Sequence, residues 1–132
     1  MKLRPLLVAG GLAAAAWTGE LDLLSRVPQA SAAWPNPLEN NRDAERAGAK
    51  LYARECAACH GPRREGRGRA PRLDCPAVHE AAPGELFWIL RNGSLRNGMP
   101  SFAHLPETER WQIITFLRSS AASQAGSGRP SP

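Results

Sequence analysis

Apolar residues recur at helical spacing in three stretches of the chain, and polar or turn-forming residues fill the rest. The first stretch opens at Asp43, a residue suited to cap a helix, and carries Ala44, Ala47, Leu51 and Tyr52 on one period to about Cys59. The second runs from Gly84 to about Asn92, where Leu86, Phe87, Ile89 and Leu90 form a broad apolar face that Gly93 ends. The third begins near Pro106. Glu107 and Glu109 suit the positive end of its dipole, Trp111, Ile114 and Leu117 line one stripe with Ile113 and Phe116 beside it, and Arg118 suits its last turn. No segment shows a convincing two-residue strand period and no internal repeat occurs, so the expected fold class is all-α, with three main helices.

The connections are unequal. Residues 33–42 hold two prolines and three asparagines and read as an extended lead-in. Residues 61–83 contain Gly61, Pro62, Gly66, Gly68, Pro71, Pro76 and Pro83, which leaves little room for regular structure. A loop of roughly 20 residues is uncommon in a compact domain unless it is functional or wraps something. Ser94 to Pro100 is a second loop, and residues 121–132 read as a flexible tail after a domain spanning 43–120.

The N-terminus has the pattern of an export signal. Met1 to Arg4 is positive, Leu6 to Trp17 is apolar but too short to span a bilayer, and Ala30-Ser31-Ala32 is a small-x-small cleavage site. The expected division is therefore a signal peptide at 1–32 and a periplasmic mature protein. Glu20, Asp22 and Arg26 are unusual between apolar core and cut, which leaves cleavage nearer Ala14–Ala16, or retention as a membrane-surface anchor, as alternatives.

Composition narrows the chemistry. With 132 residues, 42% apolar and 6% aromatic, a single domain has modest core material, and a cofactor would complete it. The net charge of +5 arises from 17 Lys+Arg against 12 Asp+Glu. Those charges are interleaved and no aromatic-basic platform accompanies them, which argues against nucleic acid. Cys56, Cys59 and Cys75 are an odd set for an oxidising compartment.

Cys56-Ala57-Ala58-Cys59-His60 accounts for two of them. Two thiols three positions apart near a helix end can reach the two vinyl groups of one haem, and the adjacent imidazole then lies under the iron. A disulfide between Cys56 and Cys59 is the plain alternative. Zinc on Cys56, Cys59, Cys75 and His79 is another, with acceptable tetrahedral-site spacing. For a second axial ligand the candidate is Met99, set in Asn97-Gly98-Met99-Pro100, where the flanking residues shape backbone rather than bury area. His79 and His104 compete for that position, and an unfilled position would suit a gas sensor or weak peroxidase. Cys75 reads most simply as a buried thiol.

Over residues 43–120 the sequence resembles the class I cytochrome c family. The motif carries the resemblance, together with Gly48 and Tyr52 eight and four positions before Cys56, Pro71 and Leu73 in the long loop, the Met99 loop, and Ile113 with Phe116. The resemblance implies the cytochrome c fold, with long loops wrapped around one covalent haem c. It implies that the first and last helices cross at Gly48 and Tyr52, that Pro71 offers its carbonyl to His60, and that Leu73 packs on the haem. It implies one-electron transfer rather than an enzyme, with His60 and Met99 as iron ligands. The expected partners are redox proteins such as a quinoprotein dehydrogenase or a terminal oxidase. Arg63, Arg64, Arg67, Arg69 and Arg72 form either a solvated basic loop or a steering patch for an acidic partner.

Overall fold

The computed structural model describes residues 22–119, and these are helical, with isolated bridges and no strand. The helices are α1 (Asp22–Ser25), α2 (Arg42–Glu55), α3 (Ala57–His60), α4 (Pro76–Glu80), α5 (Pro83–Asn92) and α6 (Glu107–Arg118). Single 3-10 turns at Gln29–Ala33 and Leu95–Asn97 complete the regular structure.

The fold is organised by the crossing of α2 over α6. A Cβ added at Gly48 would lie 1.9 Å from the Gln112 carbonyl oxygen and 2.9 Å from the Phe116 Cβ, so only glycine permits this approach. One turn along α2, the Tyr52 ring meets the Phe116 ring at 5.4 Å between centroids. Ile113 and Ile114 are wholly buried behind the crossing. Around them Leu51, Leu86, Phe87, Leu90, Phe102, Leu105 and Trp111 form one continuous core, on which Leu73 and Met99 pack from its edge.

Local structure departs from the sequence expectation in three places. The cap of α2 is Asn41 rather than Asp43: its extended backbone turns the amide oxygen onto the Ala44 N–H at 3.0 Å, and Asp43 falls inside the first turn. α2 also stops at Glu55 rather than near Cys59, because Cys56 adopts φ −118° and restarts the chain as the separate turn α3. The loop at 61–83 contains α4, with Pro76 at its first position where the missing N–H costs nothing. α5 begins as a capped helix, with the Glu85 carboxylate accepting from the Ala82 N–H at 3.0 Å.

Upstream of α2, residues 27–36 pack onto the helices. Val27 and Ser31 are buried, and a Cβ on Gly84 would lie 1.8 Å from the Ser31 carbonyl oxygen. Trp34 meets the edge of Phe87, which stacks on Trp111 at 4.2 Å. The Asn36 amide is buried and donates to the Thr115 hydroxyl at 2.9 Å.

Gly48→Ala is expected to force α2 off α6. Overpacking outweighs the better helix propensity of alanine, for a net loss of about 2 kcal/mol, read as a lowered thermal midpoint.

Candidate haem site

Cys56 and Cys59 flank the α2–α3 break. The break sets them in different surroundings: Cys56 is buried in the core and Cys59 is exposed. Burial pushes the Cys56 thiol up to about 12, with the Glu55 and Cys59 charges acting in the same direction.

The His60 backbone N–H donates to the Cys56 carbonyl at 2.9 Å, and its Nδ1 lies 2.9 Å from the Pro71 carbonyl oxygen. A carbonyl oxygen only accepts, so Nδ1 carries the proton and the Nε2 lone pair is left for a metal. This bond closes the long loop onto the motif histidine's ring, and the Gly66 N–H closes it onto the His60 carbonyl at 2.7 Å. Leu73, two residues further on, is half-buried against the core.

Three further bonds hold the base of this loop. The Tyr52 hydroxyl donates to the Gly61 carbonyl at 2.6 Å, tying the end of α3 to α2. The Arg64 carbonyl accepts from Leu73 and Asp74 N–H groups at 2.9 and 3.2 Å. Arg64 itself is buried, unlike Arg63, Arg67, Arg69 and Arg72, which are exposed; it does not belong to a surface basic run.

Met99 sits in a small closed loop. Ser94 and Met99 exchange both backbone bonds, at 2.9 and 3.1 Å, around the turn Leu95–Asn97. The loop is fixed to the end of α5 by Phe102 N–H to the Leu90 carbonyl at 2.8 Å and by the Ser101 hydroxyl to the Arg91 carbonyl at 2.6 Å. Met99 is half-buried and packs on the same core that contains Cys56. Thus the predicted residues Cys56, Leu73 and Met99 converge on one apolar cluster, with the His60–Pro71 pair joining the motif to the loop that carries Leu73. These donors and this apolar setting fit a haem.

The zinc set does not assemble. His79 Nε2 lies 3.1 Å from an Asp74 oxygen, the Cys75 thiol faces the Arg72 carbonyl at 3.5 Å, and among the described residues no three His, Cys, Asp or Glu cluster as metal ligands. Cys75 is half-buried rather than buried.

Residues 43–117 match the family described as cytochrome c oxidase, cbb3-type, subunit III, and the chain belongs to this cytochrome c family. It is therefore a c-type cytochrome, an electron-transfer protein whose cofactor is covalent haem c. Among curated relatives, a quinohemoprotein alcohol dehydrogenase ADH-IIG of Pseudomonas putida is 36% identical over 87 residues, covering 64% of this chain and 12% of that protein. Among solved structures, cytochrome cL of the marine methylotroph Methylophaga aminisulfidivorans superimposes with a TM-score of 0.56 at 23% identity, over 74% of this chain and 77% of that one. Cytochrome cL of Hyphomicrobium denitrificans follows at 0.53 and 20%, over 74% and 66%. These two structures establish the cytochrome c fold.

Burial raises the Tyr52 hydroxyl from 10.0 to about 12, with Cys56 adding to the rise and Arg64 opposing it. Its stabilising contribution is complete below pH 10 and is lost as pH climbs toward 12. Tyr52→Phe is expected to flatten that part of the stability profile, measured as urea midpoints at pH 8 and pH 11.

Proposed function

We propose that the chain is an exported single-haem electron carrier, attached to its cofactor through Cys56 and Cys59 and ligating iron through His60 and Met99. The bond from His60 to the Pro71 carbonyl carries this reading, because it commits the imidazole to the tautomer a metal ligand needs. When bound, the haem supplies reversible one-electron exchange at iron. The residues of this chain do the rest. His60 and Met99 would hold the iron between them and would leave no ligand position for substrate. The thioether of Met99 and the apolar core beside it favour the less charged, reduced iron. Pro71 fixes the imidazole, and Leu73 shields the site from water.

Exposed Arg63, Arg67, Arg69 and Arg72 lie on the loop that follows the motif and supply a positive approach for an acidic redox protein. The likeness to one segment of a quinohemoprotein dehydrogenase supports a dehydrogenase as electron donor, and the family description supports an oxidase as acceptor. Among the described residues no helix is long and apolar enough to cross a membrane. Export through the N-terminal signal remains part of the proposal, with one revision. The packing of Val27, Ser31 and Trp34 supports a cut upstream of Asp22, near Ala14–Ala16, rather than after Ala32.

Three measurements test this reading. The intact mass of the exported protein is expected to include one haem and residues 27–32; a mature terminus at Ala33 would overturn the revised cut. The reduced protein is expected to keep its Soret band unchanged under carbon monoxide, whereas Met99→Ala keeps the attached haem and binds the gas. His60→Ala is expected to impair maturation or folding, seen as loss of haem-bearing protein.

A further inference from the structure

Arg64 combines three features that a loop arginine rarely shows together. Its side chain is buried, at 3% exposure. Its backbone occupies the left-handed region at φ 62°, which is strained for a residue with a long side chain. Its guanidinium reaches across more than 50 positions to the end of α6, where one nitrogen faces the carbonyls of Phe116, Leu117 and Ser119 at 3.1, 3.4 and 3.0 Å.

The Phe116 carbonyl also receives the Ser119 N–H and hydroxyl, at 3.3 and 2.7 Å, so the guanidinium joins a capped helix end, where a cation at the negative end of the dipole is favourable. The guanidinium also lies 4.7 Å above the Phe116 ring and its other nitrogen stands 3.6 Å from Asp74. A residue held so firmly can sustain a strained backbone. That backbone does specific work: its N–H donates to the Gly61 carbonyl at 3.1 Å, and its carbonyl receives Leu73 and Asp74. The two residues before Leu73 are Pro71 and Arg72, so the segment anchored at residue 64 is the one that presents the Pro71 carbonyl to His60.

We propose that Arg64 is the positioning residue for the His60 imidazole, clamping the Pro71 segment to the C-terminus of α6 so that the His60–Pro71 hydrogen bond stays closed. The inference rests on the reading of His60 as the iron ligand. Arg64 acts on the imidazole through the loop. It also links the ligand to the last helix, whose other contacts define the fold.

The test reads the His60 Nδ1 proton itself, by solvent exchange in proton NMR of the reduced holoprotein. Arg64→Gly removes the clamp and also the backbone strain, so the turn can still form. Its ring proton is expected to exchange roughly tenfold faster, the weight of about one hydrogen bond. Arg64→Lys keeps the charge without the planar fork and is expected to fall between glycine and wild type. Ile114→Val, in α6 but outside the clamp, serves as a control for general loss of stability and is expected to leave the exchange unchanged.

Unchanged exchange in Arg64→Gly, or equal acceleration in Ile114→Val, overturns the positioning role while leaving the ligand reading intact. Should Arg64→Gly fail to accumulate, wild-type exchange in Arg64→Lys overturns it equally. A wild-type protein that carries no attached haem overturns the ligand reading, and this inference with it.

Discussion

The contact of Gly48 with the Gln112 carbonyl is the constraint from which the remaining structure follows. Backbone against backbone leaves no space for adjustment, so the relative position of α2 and α6 is set there. The position of α2 then determines where its end breaks, and hence where Cys56, Cys59 and His60 emerge. The position of α6 determines where Phe116, Leu117 and Ser119 present the carbonyls that receive Arg64. Both halves of the candidate site are thus measured from one close approach.

Little of the site is made by regular structure. The long loop after α3 is organised by polar bonds at its two ends: Tyr52 and Arg64 at the near end, His60 with the Pro71 carbonyl at the far end. Of these, the Tyr52 and Arg64 side chains are buried, and buried polar groups carry a desolvation cost and contribute only when paired, whereas the His60–Pro71 bond is exposed. The Met99 loop is likewise pinned through backbone bonds to the end of α5. Side chains around the apolar interior provide burial, and backbone carbonyls provide orientation.

The helices were legible because their apolar periods are strong and Gly93 marks the stop of α5, while the break at Cys56 carries no such mark. So was the motif, because C-x-x-C-H is local. The Asn41 cap was missed because Asp43, two residues on, satisfies the same propensity; only the backbone angle at Asn41 distinguishes them. α4 was hidden by Pro76, which signals a loop when read alone but also begins helices. Arg64 could not have been found by any local pattern. The carbonyls it reaches lie 52 to 55 residues away, and among neighbouring arginines nothing marks it as the buried one. The same holds for Ser31 and Gly84, whose mutual approach depends on tertiary structure alone.

The distance along the chain between α2 and its partner α6 has a kinetic consequence. A polypeptide emerging N-terminus first completes the segment with Cys56, Cys59 and His60 long before residues 107–118 exist. Until that final helix arrives, the crossing at Gly48 cannot close and the interior around Cys56 stays open. Non-local closure of this sort is slow compared with forming a helix. The fold therefore leaves an interval in which both motif sulfurs are reachable for covalent chemistry, and it ends that interval by the same contact that later holds the finished domain together.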